Sequence, residues 1–532
     1  MLKFMSGNRL VAAIASILAG LLMLVGATNL ASAQDDRPTL RIAVDTLWPT
    51  LEPVLGFSSS VARFALNIYD PIVLRDFRAD PTGNTRVPFL IESAEQISPT
   101  VWQFNVREGI TFQNGQPMTA EDIAFSLSAE RLWGPEAIAP RGRSFMRGIN
   151  RVEATGPMTV EIETDFPDPV LPNRFTFQIG YLVPNNFAGM TPEEFGLAPI
   201  GTGPYRVTEF DSGERLVMEA YDDYWGGTPP LASIEWIIVP EPSARLAGLV
   251  SGEYDIIVSI PSDQAPVFDN YEDISLYQVT IDNYPMFAFN TLITDENPDN
   301  PLIDANLRKA MVSAVDMDTI VSALWGDVTF HPAPFNFQEY GVFYDPEGEA
   351  AYPYDPERAQ ELLALTNYDG EELEWHITRG FYPNYEQAAE IMVEMWREAG
   401  INVRLEIVDN FRLAYERPFH LLNMSMTSEF SGDPLRPLWI DWGPNSNRTN
   451  AAHRTWEPTE RFLELGAAFQ QEEDLDRRIE LYRDLLAEWE DITPGFYLWR
   501  NVISVAVRDG VNWAPFATNT LLFGPGYVTV DQ

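Results

Sequence analysis

Residues 87–127 read V-P-F-L-I-E-S-A-E-Q-I-S-P-T-V-W-Q-F-N-V-R-E-G-I-T-F-Q-N-G-Q-P-M-T-A-E-D-I-A-F-S-L, and this stretch decides the fold. From Val101 to Val106 the residues alternate, with Trp102, Phe104 and Val106 on one face. An alternation with this period is typical of a half-buried strand. The first half of the stretch therefore predicts a strand that follows a turn.

The second half of the stretch predicts a tight turn and then a capped helix. Asn114 and Gly115 follow an apolar run, and both residue types tolerate a positive φ. Thr119 offers a hydroxyl cap, and Asp122 places a carboxylate three residues further on, before the apolar run Ile123–Phe125. By itself this order of strand, turn and helix indicates only a piece of α/β scaffold.

The same residues carry a family resemblance. The patterns P-x-L-x-E-S and W-x-F-x-V-R-x-G-I-x-F-x-N-G-x-P-M-T-A-E-D-I-x-F-S resemble those of the extracytoplasmic peptide-binding solute-binding proteins of ABC importers. That family includes dipeptide-, oligopeptide- and nickel-binding members. The resemblance implies an α/β, two-lobe periplasmic-binding-protein fold of type II, in the large peptide-binding cluster, with an extra subdomain in lobe I.

Three further motifs are similar to the family and occur in the family's order. They are G-T-G-P-Y at 201–205, Y-W-G-G-x-P at 224–229 and G-E-Y-D-I at 252–256. G-T-G-P-Y does not predict a phosphate loop, because it lacks the lysine and the spacing of such a loop. Four motifs in register make the resemblance specific.

The second half of the chain predicts a sheet with parallel strands. Residues 385–399 have apolar side chains at helical spacing, and Gly400 is expected to end that helix. Residues 401–408 then alternate as a strand. A strand–helix–strand order of this kind is typical of parallel pairing.

The resemblance and these patterns together predict the domain limits. We expect a signal peptide at 1–33, lobe I at 34–69, the extra subdomain at 70–199, lobe I again at 200–285, lobe II at 286–498 and a return to lobe I at 499–532.

The N-terminus predicts export. Lys3 and Arg9 precede the apolar stretch Leu10–Val25, and Ala31-Ser32-Ala33 is typical of a cleavage site. An uncleaved membrane anchor is the less favoured alternative. The chain has no cysteine, so it can carry neither a disulfide nor a lipid-modified cysteine. We therefore expect a periplasmic protein that is not a lipoprotein.

The charge of the chain excludes one class of partner. The formal net charge is −43, which repels a phosphate backbone, so nucleic acid is not expected to bind. Two explanations of the acidity stay open. It can serve solubility alone, or it can reflect a saline habitat in which salt screens the self-repulsion.

The sequence offers no catalytic constellation. The four histidines are far apart, at His331, His376, His420 and His453, and none lies in H-E-x-x-H. There is no G-x-S-x-G elbow, and none of the many carboxylates is marked as a catalytic pair. We predict neither an enzyme, nor a metal site, nor a cofactor. A secreted hydrolase is the remote alternative.

Arg379 is the first candidate for ligand binding. It lies in the stretch R-x-x-x-P-N at 379–384, and in dipeptide-binding members an arginine in a similar setting holds the ligand's carboxylate. A guanidinium suits this task because it makes two parallel charge-assisted hydrogen bonds. The alternative is a surface arginine bonded to a backbone carbonyl.

A second anchor of the family is missing. Peptide-binding members carry a tryptophan and an aspartate shortly before an Asp-Pro, and that aspartate pairs with the ligand's amino group. Counted back from Asp433-Pro434, Phe430 stands at the aspartate position and Thr427 at the tryptophan position. Glu429 is one residue away and is the candidate replacement. A standard dipeptide ligand is therefore in doubt.

Several aromatic side chains are further candidates. Trp48 follows the first strand in a loop that faces the cleft in the family. Phe381, Tyr382, Trp439 and Trp442 can line a cleft and stack on a sugar or a cyclic ligand. Packing in the core explains most of these residues equally well.

The sequence thus predicts the substrate-binding protein of an ABC importer. A monomer is expected to capture a peptide-like or other carboxylate-bearing solute by lobe closure and to deliver it to the permease subunits in the inner membrane. An oligosaccharide or an opine-type ligand on the same fold is the alternative.

Overall fold

The computed structural model describes residues 35–56, 59–326, 328–346, 352–416, 418–427, 433–444, 446, 449 and 454–531. The predicted signal peptide and the candidates Glu429 and Phe430 lie outside the described residues. From Pro38 onward the chain forms one compact unit. No helix among the described residues combines the length and the apolar character that crossing a bilayer requires.

The described strands, in chain order, are β1 (Thr39–Val44), β2 (Val73–Arg75), β3 (Arg86–Pro88), β4 (Ile91–Ser98), β5 (Val101–Val106), β6 (Ile149–Gly156), β7 (Thr159–Thr164), β8 (Tyr205–Asp211), β9 (Arg215–Ala220), β10 (Ser233–Ile238), β11 (Ile256–Val258), β12 (Ile274–Thr280), β13 (Asn283–Phe289), β14 (Leu373–Thr378), β15 (Val403–Val408), β16 (Leu421–Thr427), β17 (Gly495–Tyr497), β18 (Val502–Arg508), β19 (Val511–Asn512) and β20 (Thr529–Val530).

The described α-helices are α1 (Ser59–Ile68), α2 (Ala120–Ser126), α3 (Pro192–Leu197), α4 (Pro242–Ser251), α5 (Ala305–Ser313), α6 (Met317–Trp325), α7 (Pro356–Leu363), α8 (Tyr385–Glu398), α9 (Phe411–Ala414), α10 (Leu435–Trp442), α11 (Glu460–Gln471) and α12 (Leu475–Ile492). Short 3₁₀ turns at 140–144, 171–176, 178–180, 185–189, 262–270, 301–303 and 338–343, and a π-turn at 129–133, connect them.

Lobe I, residues 38–69, 200–280 and 502–531, is built on a seven-stranded sheet in the order β12-β18-β11-β1-β10-β9-β8. The central strand β1 pairs in parallel with β10 and with β11, and the other pairs are antiparallel. The predicted first strand is confirmed, and its buried Ile42 and Val44 face the core that holds Trp236. A strand buried in the middle of a sheet has to be apolar on both faces, which explains the run from Ile42 to Val44.

The predicted extra subdomain, at 70–199, carries the stretch with the family resemblance. Its sheet is antiparallel in the order β4-β5-β7-β6, and the predicted strand Val101–Val106 is confirmed as β5. At the start of α2 the two predicted residues meet, because the Thr119 backbone N–H donates to Asp122 Oδ2 at 2.8 Å and the Thr119 hydroxyl donates to the same oxygen at 3.0 Å. In the turn before it, only Gly115 takes a positive φ, of 82°, and Asn114 does not. One residue of this turn, Gly115, therefore adopts the left-handed backbone conformation that favours glycine.

Lobe II, residues 283–497, has a five-stranded sheet in the order β15-β14-β16-β13-β17. The predicted parallel pairing is confirmed, since β14 runs parallel to β15 and to β16. Helix α8 buries Ala388, Met392 and Trp396 against one face, and Gly400 follows it with a φ of 86°. The opposite face packs on a second core that includes Trp442. The carboxyl ends of the parallel strands β14, β15 and β16 lie on the side of the sheet edge that faces lobe I.

The chain crosses between the lobes twice. It leaves β12 and enters β13 through Ile281 and Asp282, and it returns from β17 to β18 through residues 498–501. The sequence places this crossing at 285/286, and the pairing of β13 with β16 starts at Asn283. At the first crossing Arg75 Nη1 donates to Asp282 Oδ2 at 2.8 Å, and both side chains are about 7% exposed. Two short segments are thus the covalent link between the lobes in the described chain.

Candidate functional site

The cleft between the lobes lies where parallel strands end. In lobe I, Asp45 follows β1 and Ser259 follows β11. In lobe II, Arg379 follows β14. Ligands of open α/β sheets bind outside the carboxyl ends of the strands, because loops and helix N-termini leave a crevice there. The two lobes present such ends to each other.

A cavity of about 820 Å³ occupies this cleft. Its lining includes Arg63, Arg245 and Ser262 from lobe I, and Phe381, Tyr382 and Asn384 from lobe II. The crossing segments contribute Ile281 and Asn501. Small-molecule sites have volumes of roughly 300–1,000 Å³. The cavity is therefore large enough for a solute the size of a short peptide.

The wall from lobe I contains a charged cluster. Arg63 Nη1 donates to Asp45 Oδ1 at 3.0 Å, and Ser259 Oγ donates to the same oxygen at 2.8 Å. Burial acts to raise the pKa of Asp45, but the charge of Arg63 and these hydrogen bonds outweigh it, so the pKa lies below its usual value. Asp45 is therefore a carboxylate at neutral pH, with about 38% of its side chain exposed.

Arg245 holds the backbone of the same wall in place. Its guanidinium donates to the carbonyl oxygens of Val239 at 2.6 Å, Pro240 at 2.9 Å and Ser259 at 2.8 Å. These carbonyls belong to two different loops that leave the sheet. Burial lowers the pKa of Arg245, while the charge of Asp45 acts in the opposite direction. The arginine thus fixes the positions of the loops that carry the polar cluster.

The wall from lobe II is formed by the turn before α8. Asn384, the residue before the helix, has a left-handed backbone with a φ of 60°, and its side chain does not cap the helix. Its Nδ2 donates to the Leu324 carbonyl at 2.9 Å, and its Oδ1 accepts from Ser262 Oγ at 2.8 Å. Since Ser262 belongs to lobe I, this hydrogen bond joins the two lobes directly.

Two of the predicted residues line this cavity. Phe381 and Tyr382 lie side by side with ring centres 4.3 Å apart. Burial raises the pKa of Tyr382, against hydrogen bonds with Ser425 and Asn283 that lower it. Tyr382 therefore stays a neutral phenol that can donate and accept hydrogen bonds.

Arg379 lies beside the cleft without lining the cavity itself. Its backbone N–H donates to the Val408 carbonyl at 2.8 Å, which extends the pairing of β14 with β15. The side chain is about 63% exposed, and its Nε lies 3.5 Å from Asp409 Oδ1, which is also exposed. This long, solvated contact leaves the guanidinium able to turn towards another anion.

Three other predicted residues do not line the cavity. Trp48 packs against the core of lobe I. Trp439 is only 8% exposed, and its ring stacks on Phe462 at 5.3 Å within the core of lobe II. Trp442 is fully buried in the same core. For Trp439 and Trp442 this is the core packing that the sequence left open.

The sequence did not single out Asp45, Arg63, Ser259, Ser262 or Asn384. For Asp45 and Ser259 a signal existed, because each directly follows a parallel strand. The contact between Ser262 and Asn384 joins residues 122 positions apart, and no local pattern encodes it. Within the described part of the chain, no group of three or more side chains is arranged to hold a metal ion.

Comparison with known proteins places this geometry in context. A family-level sequence model described as "Bacterial extracellular solute-binding proteins, family 5 Middle" matches residues 85–448. The dipeptide-binding protein of Escherichia coli (strain K12) is 22% identical over 479 residues, which cover 82% of this chain and 86% of that protein.

Solved structures share the fold. The periplasmic binding protein DppA of Helicobacter pylori, in complex with the peptide STSA, has a TM-score of 0.76 at 17% identity, covering 93% of this chain and 98% of that chain. AgaA of A. tumefaciens R10, in complex with agropinic acid, has a TM-score of 0.73 at 20% identity, covering 89% and 94%. These likenesses confirm the predicted two-lobe fold of the peptide-binding cluster.

Proposed function

This chain belongs to the bacterial extracellular solute-binding proteins of family 5, and from that premise we propose that it captures a peptide-like or other carboxylate-bearing solute between its lobes. It then delivers the solute to the permease subunits of an ABC importer. Members of this family are binding proteins rather than enzymes. The observation that carries the proposal is the cavity of about 820 Å³ between two lobes, which two short crossing segments link covalently in the described chain.

Lobe closure explains capture. A solute that contacts both walls stabilises the closed arrangement by its differential affinity for the two states. Ser262 and Asn384 already meet across the cleft, so the two walls approach to hydrogen-bond distance on this side. A solute in the cavity adds contacts to both lobes at once. The permease subunits then recognise the closed form.

Carboxylate recognition rests on Arg379. Its only described ion-pair contact, to Asp409, is long and exposed, so exchanging it for a ligand carboxylate costs little free energy. Two guanidiniums line the cavity itself, but Arg63 is held by Asp45 and is only about 11% exposed, and Arg245 is bound to three backbone carbonyls. Of the three arginines, Arg379 is the most exposed and the least tightly held.

Recognition of a ligand amino group has two candidates. Asp45 lies in the cleft as a carboxylate with its charge only partly balanced by Arg63. Glu429 remains the candidate that the sequence offers in place of the aspartate that the family carries.

An opine-type or oligosaccharide ligand is the second candidate. Phe430 stands where an ammonium-binding aspartate is expected, and Phe381 and Tyr382 present aromatic faces to the cavity. Aromatic faces suit the apolar faces of sugar rings and cyclic ligands. An opine also carries a carboxylate, so it keeps the role of Arg379.

The experiment is to denature the purified protein and identify the released small molecule by mass spectrometry. A peptide or another carboxylate-bearing compound, bound stoichiometrically, supports the proposal. A neutral oligosaccharide would support the second candidate instead. Turnover of the rebound compound into a product would favour the hydrolase alternative.

The cellular location is also proposed. The export pattern at 1–33, followed by a chain without cysteine, supports a periplasmic protein that is released by signal cleavage and not tethered by lipid. N-terminal sequencing of protein from a periplasmic extract tests this. A mature chain that starts just after Ala33 is expected, and an uncleaved membrane-bound chain would contradict it.

A further inference from the structure

A second cavity lies between the extra subdomain and lobe II, apart from the cleft described above. Its volume is about 50 Å³. Charged side chains from both sides line it, namely Arg147, Arg174 and Asp168 from the extra subdomain, and Arg436, Arg478 and Asp433 from lobe II. Four arginines and two aspartates thus line one small cavity.

Two of the arginines are paired. Arg478 Nη2 donates to Asp433 Oδ2 at 2.5 Å, and Arg174 forms an ion pair with Asp168. For Arg147 and Arg436, no carboxylate of the described chain lies within ion-pair distance. The cavity therefore holds two positive charges that its own aspartates do not balance.

Several donors at the cavity are also unused. Nε and Nη2 of Arg436 and Nε of Arg174 are shielded from solvent, and none has a hydrogen-bond partner among the described residues. Arg174 as a whole is only 5% exposed. Burial, together with the charge of Arg174, holds the pKa of Arg436 well below its usual value. A buried donor without a partner costs about 1–3 kcal/mol, and more for a charged group, so the arrangement favours a group that satisfies it.

We propose that this cavity is an anion-binding site that takes a carboxylate or another small oxyanion. About 50 Å³ is room for roughly three to five water molecules at 10–15 Å³ each, which matches a carboxylate or a phosphate. A guanidinium fork binds such planar or tetrahedral oxygens in a bidentate way. The chain as a whole has a net charge of −43, so its overall charge repels anions. The attraction of an oxyanion is therefore a property of this cavity alone.

The position of the site gives the anion a second effect. Because its walls come from the extra subdomain and from lobe II, a bound anion bridges two parts of the molecule that separate when the lobes open. An anion that binds only between them stabilises the arrangement in which they meet. The oxyanion has two possible sources, namely free anions of the surroundings or a carboxylate of the captured solute.

The test is a calorimetric titration of solute-free protein with sodium acetate and with sodium phosphate, at constant ionic strength kept with NaCl. Saturable binding of at least one probe is expected. Arg436→Gln should weaken it by roughly 13- to 160-fold, because a hydrogen bond to a charged group contributes about 1.5–3 kcal/mol. The control is Arg477→Gln, an exposed arginine whose loss should leave binding unchanged. Equal binding by wild type and Arg436→Gln, or an equal loss in the control, would overturn the proposal.

A second readout separates an anion site from a merely structural arginine. Without acetate or phosphate, Arg436→Gln should be at least as stable as wild type, since it removes an unbalanced buried charge. With saturating acetate or phosphate, wild type should be more stable than Arg436→Gln. Arg147→Gln repeats the test if Arg436→Gln fails to fold. Loss of stability in both variants, regardless of probe, would contradict the proposal.

The source of the oxyanion follows from a competition experiment. If the captured solute supplies the carboxylate, saturation with the solute identified by mass spectrometry should abolish probe binding. If free anions occupy the site, probe binding should persist. Arg379→Ala should reduce solute binding and leave probe binding intact, so failure of the anion site and failure of the proposed cleft function can be told apart.

Discussion

Ser262 of lobe I and Asn384 of lobe II are joined across the cleft by a hydrogen bond of 2.8 Å from Ser262 Oγ to Asn384 Oδ1. Asn384 can offer this oxygen because its Nδ2 is occupied by the Leu324 carbonyl and its backbone takes a left-handed conformation at the start of α8. The contact links the residue before α8 to the first residue of the 3₁₀ turn at 262–270, which follows β11. It is the most direct polar link between the two walls of the cavity.

Ser262→Ala should therefore weaken solute binding modestly. Removal of one such hydrogen bond costs about 0.5–1.5 kcal/mol, which corresponds to roughly a 2- to 12-fold rise in Kd. The effect should appear in a calorimetric titration with little change in the melting temperature of the solute-free protein. Ser251→Ala is the matched control, because Ser251 only bonds locally within α4. The same Kd for Ser262→Ala and wild type would mean that this contact is absent from the solute-bound form.

Arg379→Ala should weaken binding of a carboxylate-bearing solute by about 2–5 kcal/mol, as expected when one partner of a charge pair is removed. Arg379→Lys should fall in between, since lysine keeps the charge but loses the fork. Arg412→Ala serves as control, because Arg412 is another exposed arginine of lobe II with its own partner, Glu416. An unchanged affinity in Arg379→Ala would remove this residue from the binding site.

Asp282→Ala should destabilise the whole protein. Asp282 and Arg75 are both about 7% exposed, and loss of one partner leaves a buried charge that costs about 3–5 kcal/mol. Chemical denaturation measures this loss. In the double variant Arg75→Ala/Asp282→Ala part of it should be recovered, because neither charge is then left alone. Glu209→Ala, which breaks an exposed pair with Arg215, should cost less than about 1 kcal/mol. Strict additivity of the two buried changes would contradict the account.

Asp70 gives the stability a dependence on pH. Burial raises its pKa from 3.8 to about 7, against hydrogen bonds from Trp225 and Tyr224 that lower it. Between about pH 4 and pH 7 the folded protein then holds a proton that the unfolded chain releases, so stability falls as the pH rises through this range and levels off above it. The contribution is on the order of 4 kcal/mol.

Asp70→Asn isolates this effect, because its side chain does not titrate. The difference in unfolding free energy between wild type and variant should change between pH 4 and pH 7 and stay constant above. Parallel pH profiles of the two proteins would show that Asp70 does not carry the effect.

Local patterns were sufficient to predict much of the scaffold. The alternation from Val101 to Val106, the cap formed by Thr119 and Asp122, and the stop at Gly400 each depend on residues close in sequence. Because such elements depend on residues that are close in sequence, local sequence patterns predict them. The tolerance of both Asn114 and Gly115 for a positive φ does not say which residue adopts it, and in the structure Gly115 alone does.

The site was much harder to predict, because its parts come from distant segments. Trp439 and Phe381 are both aromatic, yet one packs on Phe462 in a core and the other lines the cavity. Their local sequences do not show which of the two aromatic side chains packs in a core and which lines the cavity. The arginines at the second cavity come from the extra subdomain and from lobe II. Their excess over the aspartates is therefore visible only in the folded structure, where these two parts meet. Family resemblance gave the position of Arg379 but not which side chains surround it.

The central claim is that the cavity between the lobes binds a solute through its carboxylate. The most direct measurement is a thermal-shift titration with paired ligands, each as the free acid and as the corresponding amide, drawn from dipeptides, oligopeptides and opines. We expect the melting temperature to rise with ligand concentration for at least one free acid, by mass action, and to rise far less for its amide. Equal shifts for acid and amide, or shifts with neutral oligosaccharides alone, would contradict the claim.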